Sequence, residues 1–110
     1  MTTMKTAVGT WRITSMEAWD ADYYDMEGPA HITLRGNRAG EFQFGLVSGS
    51  IDARIRRIDG MVRVDFSWSG ADENDPMSGY GWLEITGDQA RGHIFIHQSE
   101  DSAFTAVRQR

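Results

Sequence analysis

No cysteine occurs among the 110 residues of this chain, which excludes disulfide staples, thiolate zinc sites and a cysteine nucleophile together. Lysine is represented by Lys5 alone, and proline by two residues. No apolar run approaches the roughly 18 residues of a membrane-spanning helix, so no membrane partner is expected. The opening Met1-Thr2-Thr3-Met4-Lys5 lacks the apolar stretch of a secretory signal, and a cytoplasmic location is expected. Positive charge is in deficit. Eleven basic residues against sixteen acidic ones leave a formal charge of −5, whereas a nucleic-acid partner calls for a basic patch.

What the chain does have is the raw material of a β core. Twelve glycines accompany a set of aromatic and β-branched residues large enough for one packed interior. The length fits a single domain over residues 1–110. A mean hydropathy of −0.47 fits an ordinary globular surface.

Apolar residues recur with period two between Gly, Asp and Asn punctuation, which predicts strands. Trp11 and Ile13 alternate with Arg12 and Thr14 in a first strand, 8–16. A second strand covers 30–35. After the turn 36–40, a third covers 41–47, with Phe42, Phe44 and Leu46 on one side. Ser48-Gly49-Ser50 reads as a break before a fourth strand, 51–58. Asp59-Gly60 is the strongest hairpin signal in the chain. The fifth strand, 61–69, alternates most cleanly: Val62, Val64, Phe66 and Trp68 against Arg63, Asp65 and Ser67. Further strands fall at 79–86, 91–97 and 103–108. One short helix fits within 15–28 on the spacing of Met16, Trp19 and Tyr23.

Eight short strands with short connections predict an all-β fold, a single eight-stranded antiparallel meander closed into a barrel. A β-sandwich of similar strand count is the alternative. Gly45 and Gly81 read as mid-strand bends that such a barrel needs.

A meander sorts its loops onto two ends. One end receives tight turns rich in arginine. The other receives Glu17, Asp20, Asp22, Asp25 and Glu27, then Asp72, Glu73 and Asp75, then Glu100 and Asp101. Ten of the sixteen acids thus fall on three loops of one end, with Trp19, Tyr23, Tyr24, Trp68, Tyr80 and His97 beside them. Acidic loops commonly serve only solubility. Aromatic faces next to carboxylates also hold cations, and crowded carboxylates can act as acid or base.

Other motifs carry less. Asp72-Glu73-Asn74-Asp75 fails the EF-hand pattern, because Pro76 stands where an oxygen ligand belongs. On a strand, His93 and His97 would sit roughly 13 Å apart, too far to chelate one metal ion. His97 beside Glu100 and Asp101 is the better acid–base candidate. Ser102 has no nucleophile-elbow motif around it. No glycine pair opens a helix after a strand, so no phosphate loop is present.

Trp11-Arg-Ile13, Met16-Glu-Ala-Trp-Asp20, the run Phe66 to Pro76, Ser78-Gly-Tyr-Gly-Trp82 and Gly92-His-Ile-Phe-Ile-His97 with Asp101-Ser102 together resemble a group of small uncharacterised bacterial proteins. The resemblance spans most of the chain and implies a barrel similar to the calycin-like and allene-oxide-cyclase-like barrels. It implies no activity.

The leading expectation is therefore binding of a small molecule, a cation being one class that suits, at an acidic mouth lined by Trp19, Tyr23, Trp68, Glu73, Asp75, Tyr80, His97 and Asp101. No cofactor or metal is expected. The alternatives are an isomerase-, cyclase- or hydrolase-type enzyme using Glu73, His97 or Glu100, and an interaction module forming a homodimer through the rim or an outer face.

Overall fold

Alternation decides the architecture, because each strand buries one parity of its residues and exposes the other. The structure, a computed structural model, describes residues 2–109. The strands are β1 (Gly9–Met16), β2 (His31–Leu34), β3 (Ala39–Phe44), β4 (Val47–Ile58), β5 (Met61–Asp72), β6 (Asp75–Thr86), β7 (Gln89–Ile96) and β8 (Asp101–Arg108). Each pairs antiparallel with the next, and β1 pairs with β8, so the sheet closes into an eight-stranded barrel. No helix among the described residues is long and apolar enough to cross a membrane.

The interior is filled with side chains. Trp11, Ile13, Ile32, Leu34, Phe42, Phe44, Val64, Phe66, Trp68 and Leu83 all point inward and are buried. Burying each such side chain contributes about 1.5–3 kcal/mol. Eight strands leave a bore just wide enough for such filling. Where a ring is large, its neighbour is small: a Cβ on Gly81 would meet the Phe66 ring at 2.6 Å.

Strand ends shift by a few residues throughout, and two connections differ from the sequence reading. The turn between β3 and β4 is Gly45-Leu46, with Gly45 at φ +56, and residues 48–50 lie inside β4. Ser48 and Ser50 face outward there, while Gly49 yields interior space to the rings of Phe42 and Trp68. The β5–β6 connection is a two-residue hairpin, Glu73-Asn74, so Asp72 and Asp75 face each other as paired strand residues. The barrel's local irregularity falls between Ile13 and Ser15 of β1, where the register with β8 shifts.

Two helical pieces are present. The expected one is only the single turn α2 (Ala21–Tyr24), and Met16 belongs to β1. The other, α1 (Thr2–Ala7), precedes β1 and packs against β4 and β5. Trp11 Nε1–H donates to the Ala7 carbonyl at 2.9 Å. The Arg108 guanidinium lies 4.4 Å from the Trp11 ring centre and donates to the carbonyls of Thr6 and Val8. That end of the barrel is closed by α1.

Candidate functional site

The meander places the β1–β2, β3–β4, β5–β6 and β7–β8 connections at one end, as the strand order requires. Residues 17–30 run across this acidic end, and they are anchored at both sides. Glu17 N–H donates to the Ala103 carbonyl, and Ala18 N–H to Ser102 Oγ at 3.0 Å. Ser102, fully buried, is thus a structural tie. Arg12 grips Asp25 through two bonds of 3.2 and 3.1 Å, and Asp25 Oδ1 also accepts Ala30 N–H. Tyr24 donates its hydroxyl to the Thr14 carbonyl.

Aromatic rings then bridge the mouth. Tyr23 meets Trp19 at 5.8 Å, Trp19 meets Phe44 at 5.1 Å, Phe44 stacks on Phe42, and Phe42 meets Trp68 edge-on at 4.9 Å. Gly45 makes this closure feasible, since its φ is positive and a Cβ there would strike the Tyr23 ring. Trp68 is 4% exposed and donates Nε1–H to the Phe95 carbonyl. Trp19, Tyr23 and Trp68 therefore pack with the core at this end.

The other expected residues divide between two places. Glu73 occupies the hairpin tip, with its N–H bonded to the Leu46 carbonyl, and Asp75 begins β6. His97 lies just past β7, its N–H donating to the Ser78 carbonyl at 2.7 Å, and the Glu100 carbonyl accepts Ile96 N–H. The side chains of Glu73, Asp75, His97 and Glu100 are exposed and share no hydrogen bond or ion pair among the described residues. No three His, Asp or Glu side chains among the described residues come close enough to hold a metal ion.

Tyr80 and Asp101 belong instead to the outer flank of β6, β7 and β8. Because Gly79, Gly81 and Leu83 face inward, Tyr80 and Trp82 must face out, and register sets Tyr80 beside Phe95 and Trp82 beside His93. Tyr80, 58% exposed, stacks on Phe95 at 4.5 Å and 11°. His93 stacks on the same Phe95 at 4.5 Å, and its Nε2 lies 2.5 Å from Asp101 Oδ2. Phe95 is a candidate the sequence did not point to, and His93, weighed there only as a metal ligand with His97, pairs instead with Asp101. Parity alone could not expose Phe95, because β7 carries large apolar side chains on both faces, Ile94 and Ile96 inward and Phe95 outward.

One step toward the other end, the same flank already holds a cation. The Arg63 guanidinium lies 4.3 Å from the Trp82 ring centre and pairs with Glu84 at 2.9 Å and Asp65 at 3.2 Å. Beside it runs a shallow outer groove of about 450 Å³, lined by Glu17, Trp82, Arg91, His93 and Ala103 among others. No buried side-chain nitrogen or oxygen among the described residues lacks a partner, so no polar group inside the barrel awaits a ligand.

The arginine end shows the opposite economy of charge. Arg35 pairs with Glu41, Arg56 with Asp65, Arg91 with Glu84 and Arg108 with Asp88. Asp52 bonds Arg54 at 2.7 Å; that hydrogen bond, opposed by slight desolvation and helped by the charges of Arg54 and Arg38, holds its carboxyl below the usual value.

Fold and surface together define a closed, side-chain-filled meander barrel with an aromatic–acidic outer flank. No protein-family model, curated protein or solved structure matches the chain.

Proposed function

We propose that the protein is a binding module for a small organic cation carrying a guanidinium or ammonium group, held on the outer flank by Tyr80, Phe95, His93 and Asp101. The observation that carries this reading is the pair of constellations on one face. Trp82 with Glu84 and Asp65 is filled by the chain's own Arg63. Tyr80 and Asp101 offer the same pair of chemistries beside a Tyr80–Phe95–His93 stack: Phe95 is covered on both faces, whereas Tyr80 keeps an outer ring face on which no guanidinium or ammonium of the described residues lies.

A cation over an exposed ring gains about 0.5–1 kcal/mol, and more as water is displaced. A charge-assisted hydrogen bond to Asp101 adds about 1.5–3 kcal/mol. With the field of the acidic end beside it, a Kd of about 1–10 mM follows. His93 acts here as a positioning residue, fixing Asp101 through Oδ2 and leaving Oδ1 for the ligand. The small-molecule reading of the sequence is thereby kept, and its place is moved from the mouth to the flank. The acid–base enzyme reading has less support, since Glu73, His97 and Glu100 do not meet. A calycin-like relationship and a cytoplasmic setting belong to the same proposal and rest on the sequence alone.

Calorimetric titration with arginine ethyl ester tests it. Wild type should bind with a Kd near the range above; Tyr80→Ser should weaken binding about threefold and Asp101→Asn about tenfold or more. Glu73→Gln should leave it unchanged. Absence of binding at about ten times the upper Kd would overturn the reading. Loss in Glu73→Gln alone would return the site to the mouth.

A further inference from the structure

We infer that the flank also receives a second copy of this chain, packed antiparallel about a two-fold axis that crosses the strands at His93, with Arg91 of each copy paired to Asp101 of the other beside the edge of Phe95. The inference rests on the flank reading above and names a macromolecular source of the cation.

Register supplies the argument. Across β6, β7 and β8, the outward residues form three rows: Glu84–Arg91–Thr105, Trp82–His93–Ala103 and Tyr80–Phe95–Asp101. The first row, continued by Arg63 on β5, carries both arginines of the flank. The third carries the exposed ring and the carboxylate. A two-fold axis lying in the interface and perpendicular to the strands keeps each strand over its own copy and exchanges the first row with the third. Arg91 then faces Phe95 and Asp101, twice over, as an isologous contact requires. Packing the copies parallel, about an axis along β7, would set Arg91 on Arg91 and leave Asp101 opposite Tyr80, which like-charge repulsion and the lost ion pairs oppose.

Each residue has the freedom the contact needs. The Arg91 side chain is 71% exposed, and its one ion pair is the contact with Glu84, which Arg63 also holds from the other side. Asp101 is 55% exposed with one oxygen engaged by His93. The central row, Trp82 and His93 over small Ala103, gives an aromatic centre with a charged rim on either side, the arrangement that distinguishes specific interfaces.

Sedimentation velocity decides it. Wild type should form a dimer at low salt that weakens as salt is raised. Arg91→Glu and Asp101→Arg should each weaken the dimer about 30-fold or more, and the double charge swap should restore it. Circular dichroism confirms that each variant is folded. A wild type that stays monomeric, a dimer indifferent to Arg91→Glu, or a double variant no better than its parents would overturn the inference. The Arg91→Gln variant separates the two proposals, because it vacates the flank without blocking it. Binding of arginine ethyl ester there keeps the cation site whatever the fate of the dimer, and its failure there with an intact charge-swap result removes the small-ligand reading alone.

Discussion

The two ends of the barrel are closed by different means, and they use their charge differently. At the arginine end, α1 covers the opening, Trp11 is fully buried beneath Arg108, and turns of two or four residues join the strands. The arginines there are matched to Glu41, Asp52, Asp65, Glu84 and Asp88. At the acidic end, a loop rather than a helix crosses the opening, and its rings seal it. Asp25 and Asp101 are paired, while the other acids of that end make no ion pair among the described residues. The proposed site draws on Asp101, which keeps one oxygen free beside its His93 contact, and on the exposed Tyr80 ring.

The largest effect that can break this comparison is in the core. Trp11→Ala should cost about 3–5 kcal/mol in urea unfolding, since a fully buried ring and its bond to Ala7 are lost together. Trp19→Ala, at the half-buried seal, should cost about 1–3 kcal/mol. The reverse order would mean that the acidic end is the better packed.

Glycine substitutions sharpen the same contrast. Gly60→Ala meets open space at φ +80 and should cost about 1–2 kcal/mol from backbone strain alone. Gly45→Ala carries that strain and must also displace Tyr23, so it should cost more. Equal costs would show that Tyr23 does not press on the turn.

Asp25→Ala removes a bidentate pair and the acceptor of Ala30 N–H, a loss of about 1–3 kcal/mol. Hydrogen exchange should quicken across 17–30 and stay unchanged in β4 and β5. Uniform acceleration would mean that the loop is inseparable from the barrel.

The smallest effect lies at Asp52. Its carboxyl is held low, so the contribution it makes is present at neutral pH and is lost as pH falls through the lowered midpoint. A nuclear magnetic resonance titration should place that midpoint below 3.8, and Arg54→Gln should raise it. A midpoint that ignores Arg54 would contradict the assignment.

Much of the fold was legible because one parity dominates. Val62, Val64, Phe66 and Trp68 announce β5 without help from any neighbour, and Asp59-Gly60 announces its hairpin. The β3–β4 turn was hidden because Phe42, Phe44 and Leu46 continue the alternation past Gly45, while Ser48-Gly49-Ser50 imitates a turn. In the fold, Gly49 is chosen by the rings beside it and not by a bend. The helix α1 has six residues and too little periodicity to signal itself. The division of acids and arginines between two ends followed from topology and could be derived. The flank could not, since Tyr80 and Trp82 compete with Leu83 and Ile85 for the inner face, and only glycine at 79 and 81 decides between them.

The central claim is that recognition occurs on the outer flank and not in the mouth. Backbone amide shifts mapped during titration with arginine ethyl ester test it most directly. The account predicts the largest shifts at Tyr80, His93, Phe95 and Asp101, with Trp19, Tyr23 and Glu73 unmoved. Shifts centred on Trp19, Tyr23 and Glu73 would contradict it.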